Sequence, residues 1–293
     1  MEPETRHDAD GSLMKRLTGL AIAAGVLLAF SLNVQAADCT IANWDDFEGL
    51  TTGENTGTQE NPNIASGNRR YFGPCGLRVP FGGSESWLEN RTDGSGNALD
   101  EPSYRVRFFG FFESLTSAGT PVPFFEGYDA ENPAGRVFSL FFDESSGIGV
   151  DVNGDGSVDE WFSVGNGWQE IEIGYTAGEN FVFSLNGESA SLGASSSRNV
   201  TFVRLGDIDG VGSGWADFDE FDSRRVSFPS DDPQSVIRLG DANGDGAITG
   251  GDLTALVNEL LGDSIAAGQA DCNEDGSITG GDLTCLVNIL LAQ

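Results

Sequence analysis

Two near-copies of one segment lie in the C-terminal part of the chain, and they constrain its folding more than any other feature. The first runs from Asp241 to Leu261 and the second from Asp271 to Leu291, with an offset of 30 residues. Neither copy is long enough to bury a hydrophobic face alone, so we expect the two to pack against each other. The copies differ at five positions, which are Ala242/Cys272, Gly244/Glu274, Ala247/Ser277, Ala255/Cys285 and Glu259/Ile289.

The second half of each copy has helical periodicity. Its apolar residues recur at i, i+3, i+4, i+7 and i+8, which forms one stripe along a helix. We therefore predict two helices that bury these stripes against each other. The stripes are Leu253, Leu256, Val257, Leu260 and Leu261, and Leu283, Leu286, Val287, Leu290 and Leu291.

The first half of each copy has the spacing of a twelve-residue calcium loop, with oxygen donors at positions 1, 3, 5, 7, 9 and 12. Gly246 and Gly276 fall at position 6, where the chain must turn with a positive φ. An Asp/Asn/Gly turn without metal is the alternative, and two copies in register argue against it. The predicted Ca²⁺ ligands are Asp241, Asn243, Asp245, the Ala247 carbonyl, Thr249 and Asp252, and then Asp271, Asn273, Asp275, the Ser277 carbonyl, Thr279 and Asp282.

A duplicated loop-helix unit with Asp at position 12 resembles a type I dockerin, here over residues 239–293. An ordinary EF-hand also has a helix before its loop, for which residues 236–240 are too short. The resemblance implies a module that binds two Ca²⁺ ions and attaches a secreted protein to a cohesin domain of a scaffold.

Loop positions 10 and 11 are where the resemblance implies contact with cohesin. Dockerins often carry a Ser-Thr pair there, whereas this chain has Gly250-Gly251 and Gly280-Gly281. Because both copies keep the same residues, we expect two docking orientations related by a half-turn.

Residues 1–36 are predicted to be a signal peptide. Lys15-Arg16 precedes an apolar run from Leu17 to Phe30, and Val34-Gln-Ala36 is a small-residue cleavage motif. Met14 is the better start, because residues 1–13 carry four acids. The pattern predicts a secreted, extracellular protein without a membrane span, since the apolar run is short.

The four cysteines point to two disulfides in an oxidising compartment. Cys272 and Cys285 both replace alanines of the first copy, which predicts that they pair. The remaining pair would be Cys39–Cys75. Four buried free thiols are the alternative.

A formal net charge of −31 excludes several functions. Nucleic acid is not an expected partner, because its phosphates require a basic surface. The only lysine, Lys15, and the only histidine, His7, lie before the predicted cleavage site. The mature chain therefore has no residues for a Ser-His-Asp triad, a His-ligated zinc site or a Schiff base.

Residues 37–226 are predicted to form a mainly β domain, a two-sheet jelly-roll sandwich, with a linker at 227–238 before the small all-α module. Short β-rich runs alternate with Gly, Asn, Asp and Ser turns. We expect the phenylalanines of Phe108–Phe112 and Phe141-Phe142 to fill the space between the sheets.

Five fragments together are similar to the concanavalin A-like lectin/glucanase sandwich in its laminin-G-like form. The resemblance implies either glycan binding or glycoside hydrolysis, because the fold hosts both. The fragments are Cys75–Val79, Tyr104–Phe108, Gly167–Ile173, Phe183–Gly187 and Phe218–Arg225.

Two further sets of residues are candidates within the sandwich. Glu170 and Glu172 share a strand face and are weak candidates for the acid pair of a glycosidase. A third calcium-like loop could hold an additional ion through Asp151, Asn153, Asp155 and Asp159, although Phe162 stands at position 12. A metal-free hairpin turn explains that loop equally well. The sugar-stacking candidates are Trp87, Trp161, Trp168 and Trp215.

The sequence favours a non-catalytic, glycan-binding sandwich attached by a calcium-dependent dockerin to an extracellular polysaccharide-degrading assembly. One alternative is a glycoside hydrolase with an atypical acid pair. The other is a structural surface protein that assembles through calcium.

Overall fold

The computed structural model describes residues 63–65, 69–73, 75–91, 100–130, 133–224, 227–231 and 237–293. All of them belong to one folded unit, Ala36–Gln293. The predicted signal peptide and Cys39 lie outside the described residues. Within these ranges, no helix is both long and apolar enough to span a bilayer.

The described part of the sandwich consists of two antiparallel sheets. The first sheet has the order β1-β2-β14-β4-β10-β11-β12, with β5 also paired to β14, and the second has the order β3-β13-β6-β7-β8-β9. This architecture confirms the predicted mainly β, two-sheet fold. The strands are Asn63–Ala65 (β1), Gly76–Phe81 (β2), Ser86–Asn90 (β3), Ser103–Phe111 (β4), Leu115–Thr116 (β5), Val122–Tyr128 (β6), Arg136–Asp143 (β7), Gly147–Asp151 (β8), Glu160–Phe162 (β9), Trp168–Thr176 (β10), Asn180–Leu185 (β11), Glu188–Ala194 (β12), Phe202–Asp207 (β13) and Ser213–Arg224 (β14).

Aromatic side chains fill the space between the two sheets, as the sequence predicts. Phe108 of β4 contacts Phe125 of β6 at 5.1 Å between ring centroids, and Phe112 stacks on Phe142 at 5.1 Å. All four side chains belong to the main core cluster. Burial of this apolar area is the dominant stabilising contribution to the sandwich.

The expectation for Phe109 and Phe111 is wrong, and Phe141 of β7 also lies outside the main core cluster. Successive residues of a strand point to opposite faces, so these two side chains of β4 leave the inter-sheet core. They join a separate buried cluster with Tyr71 and Trp168 on the outer face of the first sheet. Tyr71 stacks on Phe109 with 3.7 Å between ring centroids.

The C-terminal module contains two helices, Gly250–Leu261 (α1) and Gly280–Ala292 (α2). Leu256 and Leu286 are fully buried in a shared cluster, against which Leu253, Leu283 and Leu290 pack. The predicted burial of the stripes is wrong for Leu260, Leu261 and Leu291, which are exposed near the ends of the two helices. A disulfide joins Cys272 to Cys285 and confirms that predicted pair. The second predicted bridge involves Cys39, which lies outside the described residues.

The outer face of the first sheet carries segments from three other parts of the chain. Asp219 of β14 is fully buried, and its Oδ2 accepts the backbone N–H groups of Tyr71 and Phe72 at 2.6 and 3.0 Å. Ser230, from the predicted linker, donates its N–H and its hydroxyl to Glu172 of β10. The third segment is the loop before α2, which is described below.

Candidate functional site

The first loop of the module is organised by the carboxylate of Asp241. Its Oδ1 accepts the N–H groups of Gly244 and Asp245 at 2.9 and 3.1 Å, and its Oδ2 accepts the N–H of Gly246 at 2.8 Å. Asp245 Oδ1 in turn accepts the N–H of Ala247 at 2.9 Å. The short polar side chains therefore fold the backbone into a tight turn around position 1.

The loop passes directly into α1 through a capping box. Thr249 is the N-cap, and its hydroxyl accepts the N–H of Gly251 at 3.0 Å. Asp252 Oδ2 in turn accepts the backbone N–H of Thr249 at 2.6 Å. These bonds satisfy free N–H groups at the helix start, and the Asp252 carboxylate is favoured by the helix dipole. Predicted ligand positions 9 and 12 therefore also fix the start of the helix.

The second loop repeats this arrangement. Asp271 Oδ2 accepts the N–H of Gly276 at 2.7 Å, and Asp275 Oδ1 accepts the N–H of Ser277 at 2.9 Å. Thr279 caps α2 in a box with Asp282, whose Oδ2 accepts the Thr279 N–H at 2.7 Å. The two loops are thus near-identical in hydrogen bonding as well as in sequence.

The predicted position-3 ligands also behave alike in the two loops. Asn243 Oδ1 accepts the N–H of Asp245 at 2.9 Å, and Asn273 Oδ1 accepts the N–H of Asp275 at 3.1 Å. Their Nδ2 groups contact the Oδ2 atoms of the same two aspartates at 2.9 Å.

The electrostatics of both loops suit a cation. Burial raises the pKa of Asp271 to about 7, the N–H of Gly276 lowers it, and the negative charges of Asp282 and Asp275 raise it further. Burial also raises the pKa of Asp241. Crowded carboxylates of this kind are a hard oxygen donor set, which is what Ca²⁺ prefers. Among the described residues, no three acidic, His or Cys side chains converge at metal-ligand spacing, so the two ion sites remain a prediction from the loop pattern.

Residues 239–291 match the family model described as dockerin type I domain. These residues form a type I dockerin domain. Dockerin domains bind calcium, and they attach their proteins to cohesin partners in extracellular assemblies. The match covers the loop-helix pair and does not extend into the sandwich.

Solved structures that resemble the chain include three with 12 to 17% sequence identity. Cellulose induced protein Cip1 has 13% identity and a TM-score of 0.44, over 59% of this chain and 90% of that one. Alginate lyase AlgAT5 from polysaccharide lyase family 7 has 12% identity and a TM-score of 0.43, over 60% and 87%. Alginate lyase A1-II′ of the same family has 17% identity and a TM-score of 0.42, over 60% and 92%. No curated protein matches the chain.

The glycines at loop positions 10 and 11 of the dockerin domain are exposed in both copies. A Cβ atom added at Gly250 or Gly280 would meet no atom within 4 Å. A Cβ at Gly251 would lie 2.9 Å from Asn243 Nδ2, and one at Gly281 would lie 3.1 Å from Asn273 Nδ2. Position 10 is therefore open space, whereas a glycine at position 11 lets the helix start lie close to a predicted ligand.

The third calcium-like loop, between β8 and β9, has the same internal hydrogen bonds as the dockerin loops. Asp151 Oδ1 accepts the N–H of Gly154 and its Oδ2 that of Gly156, both at 2.7 Å. Asn153 Oδ1 accepts the N–H of Asp155 at 3.0 Å. Asp159 Oδ2 bonds instead to the Val152 N–H at 2.9 Å, and Phe162 is part of β9. The turn is thus closed by its own hydrogen bonds without a position-12 ligand, and its ion remains a prediction.

Glu170 and Glu172 lie on the outer face of the first sheet, two residues apart on β10. Glu170 Oε1 is 3.9 Å from Arg107 Nη1, and burial raises the pKa of the Glu170 carboxyl. Both oxygens of Glu172 accept hydrogen bonds from Ser230 of the linker, at 3.0 and 2.7 Å. Since Glu172 anchors a segment of this chain, the two acids are not presented together on an open cleft.

The four candidate tryptophans differ in exposure. Trp87 and Trp168 are buried and Trp161 is half-buried, whereas Trp215 is 42% exposed. The guanidinium carbon of Arg78 lies 5.1 Å from the Trp215 ring centroid. Arg78 is held by two bonds to Asp217, at 2.7 and 2.9 Å.

The sequence did not predict the contacts that Glu274 and Glu259 of the dockerin domain make with the sandwich. The side chain of Glu274 accepts a hydrogen bond from the Tyr71 hydroxyl at 3.1 Å. Glu259 forms a largely buried ion pair with Arg70. Both glutamates stand at positions where the two copies differ, and that difference was the only signal in the sequence.

Proposed function

We propose that this protein is a secreted, calcium-binding dockerin protein that attaches a glycan-binding β-sandwich to a cohesin-bearing, extracellular polysaccharide-degrading assembly. The observation that carries the proposal is the paired loop-helix unit at residues 239–291, which matches the dockerin type I model and repeats one hydrogen-bond pattern in both copies. Export follows from the predicted signal peptide at residues 1–36.

Each loop would hold Ca²⁺ through the carboxylates at positions 1, 5 and 12, the amide oxygen at position 3 and the position-7 carbonyl, with position 9 completing the set. The bound ion would neutralise the crowded carboxylates, so that each loop and the helix start that it caps become rigid together. A rigid pair of helices is then available for a protein partner.

The partner surface that we propose includes the open position-10 glycines and the exposed ends of the helices. Leu261 of α1 and Leu291 of α2 occupy equivalent positions and are 69% and 81% exposed. They are the two most exposed large apolar side chains among the described residues. Each copy therefore offers one open glycine and one exposed leucine. Since residues 239–291 match the dockerin family, cohesin is the partner that we propose for this surface.

A glycan is the second proposed partner, and Trp215 supports it. An exposed indole beside a fixed guanidinium offers an apolar face for a sugar ring and a donor for its oxygens. Arg78 also lines a cavity of about 280 Å³ together with Arg69, Arg70 and Glu259. Among the described tryptophans, Trp215 is the most exposed, and it is our candidate for the sugar contact.

Binding to a panel of immobilised cohesin domains tests the attachment role. We expect at least one cohesin to retain the protein with Ca²⁺ present and to release it when a chelator is added. Failure to bind any cohesin, combined with calcium-driven oligomers in sedimentation, would favour the structural surface protein instead.

Incubation with polysaccharides separates glycan binding from hydrolysis. We expect retention on a polysaccharide without release of reducing sugar. Sugar release that is lost in Glu170→Gln or Glu172→Gln would instead identify a glycoside hydrolase.

A further inference from the structure

The five differences between the dockerin repeats fall into a structural pattern. Cys272 and Cys285 form the disulfide of the second repeat. Glu274 and Glu259 both contact the sandwich, through Tyr71 and Arg70. Four of the five positions at which the copies diverge therefore serve either a crosslink or an interface, and the duplication is not symmetric in this protein.

Glu274 adopts a backbone conformation that its side-chain type disfavours. Its φ is +56°, in the left-handed region, whereas the first repeat has Gly244 there with a φ of +72°. A residue with a side chain in this region is strained by about 1 kcal/mol relative to glycine. Such a residue is retained where its contacts compensate. Here the Glu274 carboxylate accepts from the Tyr71 hydroxyl at 3.1 Å, and its carbonyl accepts from the Trp168 N–H at 3.4 Å.

The second loop lies against an aromatic surface that the first loop lacks. A Cβ added at Gly276 would lie 2.6 Å from the Phe111 ring and 2.7 Å from Arg69 Nε, whereas one at Gly246 would meet nothing within 4 Å. Arg69 is itself stacked on Phe111, with its guanidinium carbon 3.6 Å from the ring centroid. We name the side chains of Tyr71, Phe109, Phe111 and Trp168 the aromatic platform.

We propose that the aromatic platform is an interaction surface for the second dockerin loop, and that docking of this loop is thermodynamically linked to its occupancy by Ca²⁺. The inference rests on the calcium binding proposed above. Glu274 lies between two predicted ligands, Asn273 and Asp275, so the backbone that the platform holds is the backbone that must wrap the ion. Docking therefore organises the second loop in advance, and the first loop has no such support.

Linkage of this kind is reciprocal. If docking raises the affinity of the second loop for Ca²⁺, then Ca²⁺ strengthens docking by the same factor. Calcium would consequently hold the dockerin domain against the sandwich in one orientation, and the two repeats would bind Ca²⁺ with different affinities.

Calcium titration calorimetry on the full chain tests the linkage one loop at a time. Asp241→Asn disables the first loop and leaves the second to be measured, and Asp271→Asn does the reverse. In the Asp241→Asn protein, we expect Tyr71→Phe and Glu274→Gly each to lower the Ca²⁺ affinity about 5- to 10-fold. Glycine relieves the local strain at position 274, so a lower affinity in that variant does not come from backbone strain.

Two controls decide whether the effect is docking. In the Asp271→Asn protein, Tyr71→Phe and Glu274→Gly should leave the affinity of the first loop within about twofold, since that loop does not touch the platform. The double variant Tyr71→Phe/Glu274→Gly should have a Ca²⁺ affinity no lower than that of the single variant with the larger loss, because both changes remove the same contact.

The possible failures are distinguishable. If Tyr71→Phe leaves the second loop unchanged while Glu274→Gln weakens it as much as Glu274→Gly, the effect is loss of a nearby charge and the linkage is wrong. If the Asp271→Asn and Asp241→Asn proteins bind Ca²⁺ equally and neither responds to the platform variants, the linkage is also wrong although calcium binding stands. If the unaltered protein takes up no Ca²⁺, the proposed function itself fails.

Discussion

Asp252 Oδ1 accepts the backbone N–H of Asn243 at 3.1 Å, so the twelfth position of the first dockerin loop reaches back to its third. Asp282 Oδ1 makes the equivalent bond to Asn273 at 3.2 Å. Each carboxylate is fully buried and also caps the helix that follows. One side chain therefore joins the predicted ion site to the start of the helix in each repeat.

Replacement of Asp252 by Asn should remove one calcium site. The amide keeps an acceptor for Asn243 but loses the negative charge, so we expect affinity at that loop to fall by at least about tenfold. Isothermal titration should then show one fewer Ca²⁺ bound at micromolar concentration. Asp263→Asn is the matched control, because Asp263 is exposed and lies outside both loops. Equal stoichiometry in both variants would contradict the ligand assignment.

Substitutions at loop position 10 test the two docking orientations. Gly250 and Gly280 face open space, so Gly250→Arg or Gly280→Arg adds a large side chain without displacing the calcium loop. We expect each single variant to bind cohesin no more than about twofold more weakly, because the other repeat remains available. The double variant should lose binding in a surface plasmon resonance assay. Loss of binding in one single variant alone would show a single orientation.

Removal of the exposed indole should weaken glycan binding. We expect Trp215→Ala to reduce polysaccharide affinity about tenfold in affinity electrophoresis, because the stacking surface beside Arg78 is lost. Trp161→Ala is the control, since Trp161 is half-buried on β9 of the other sheet. Equal retention of the two variants would exclude Trp215 as the sugar contact.

The loop between β8 and β9 can be tested by counting ions. If it binds Ca²⁺, the protein should take up three ions, and Asp155→Asn should reduce the number to two. Asp155 is exposed, and its Oδ1 bonds only locally to the Ser157 N–H, so the sandwich should remain folded. A stoichiometry of two in both proteins would identify this loop as a metal-free turn.

Because of Asp207, the sandwich should be more stable in mild acid than at neutral pH. Burial raises the pKa of Asp207 to about 6, although hydrogen bonds from the N–H groups of Gly210 and Gly82 lower it in part. A raised pKa means that the folded state binds the proton more tightly than the unfolded state. The stabilisation is therefore complete below about pH 4 and is lost as the pH rises through about 6.

Thermal unfolding across this pH range measures the effect. The unfolding temperature of the unaltered protein, measured relative to that of Asp207→Asn, should decrease as the pH is raised from 4 to 7. The amide of the variant does not titrate, so it serves as the reference. Glu188→Gln, at an exposed position of β12, should show no such trend. A constant difference between Asp207→Asn and the unaltered protein would contradict the assignment.

Much of the dockerin domain could be predicted because its information is local. The 1, 3, 5 spacing of oxygen donors places Asp241 and Asp271 within reach of N–H groups only three to five residues away. The helix stripes and the paired change to Cys272 and Cys285 are visible in the same way. For the sandwich, only the fold class could be predicted. The sequence shows where strands and turns alternate, but it does not show which strands pair.

The sequence by itself determined the twin loops and the helices that follow them, because both depend on residue types and spacings along one short segment. Only the tertiary structure decided that Phe109 and Phe111 serve the outer face of the first sheet, that Glu172 anchors the linker and that Glu274 docks on Tyr71. The contacts of Glu172 and Glu274 join residues that are 58 and 203 positions apart in the chain. Spacing along the chain cannot encode such pairs, because tertiary packing alone brings the two residues of each pair together.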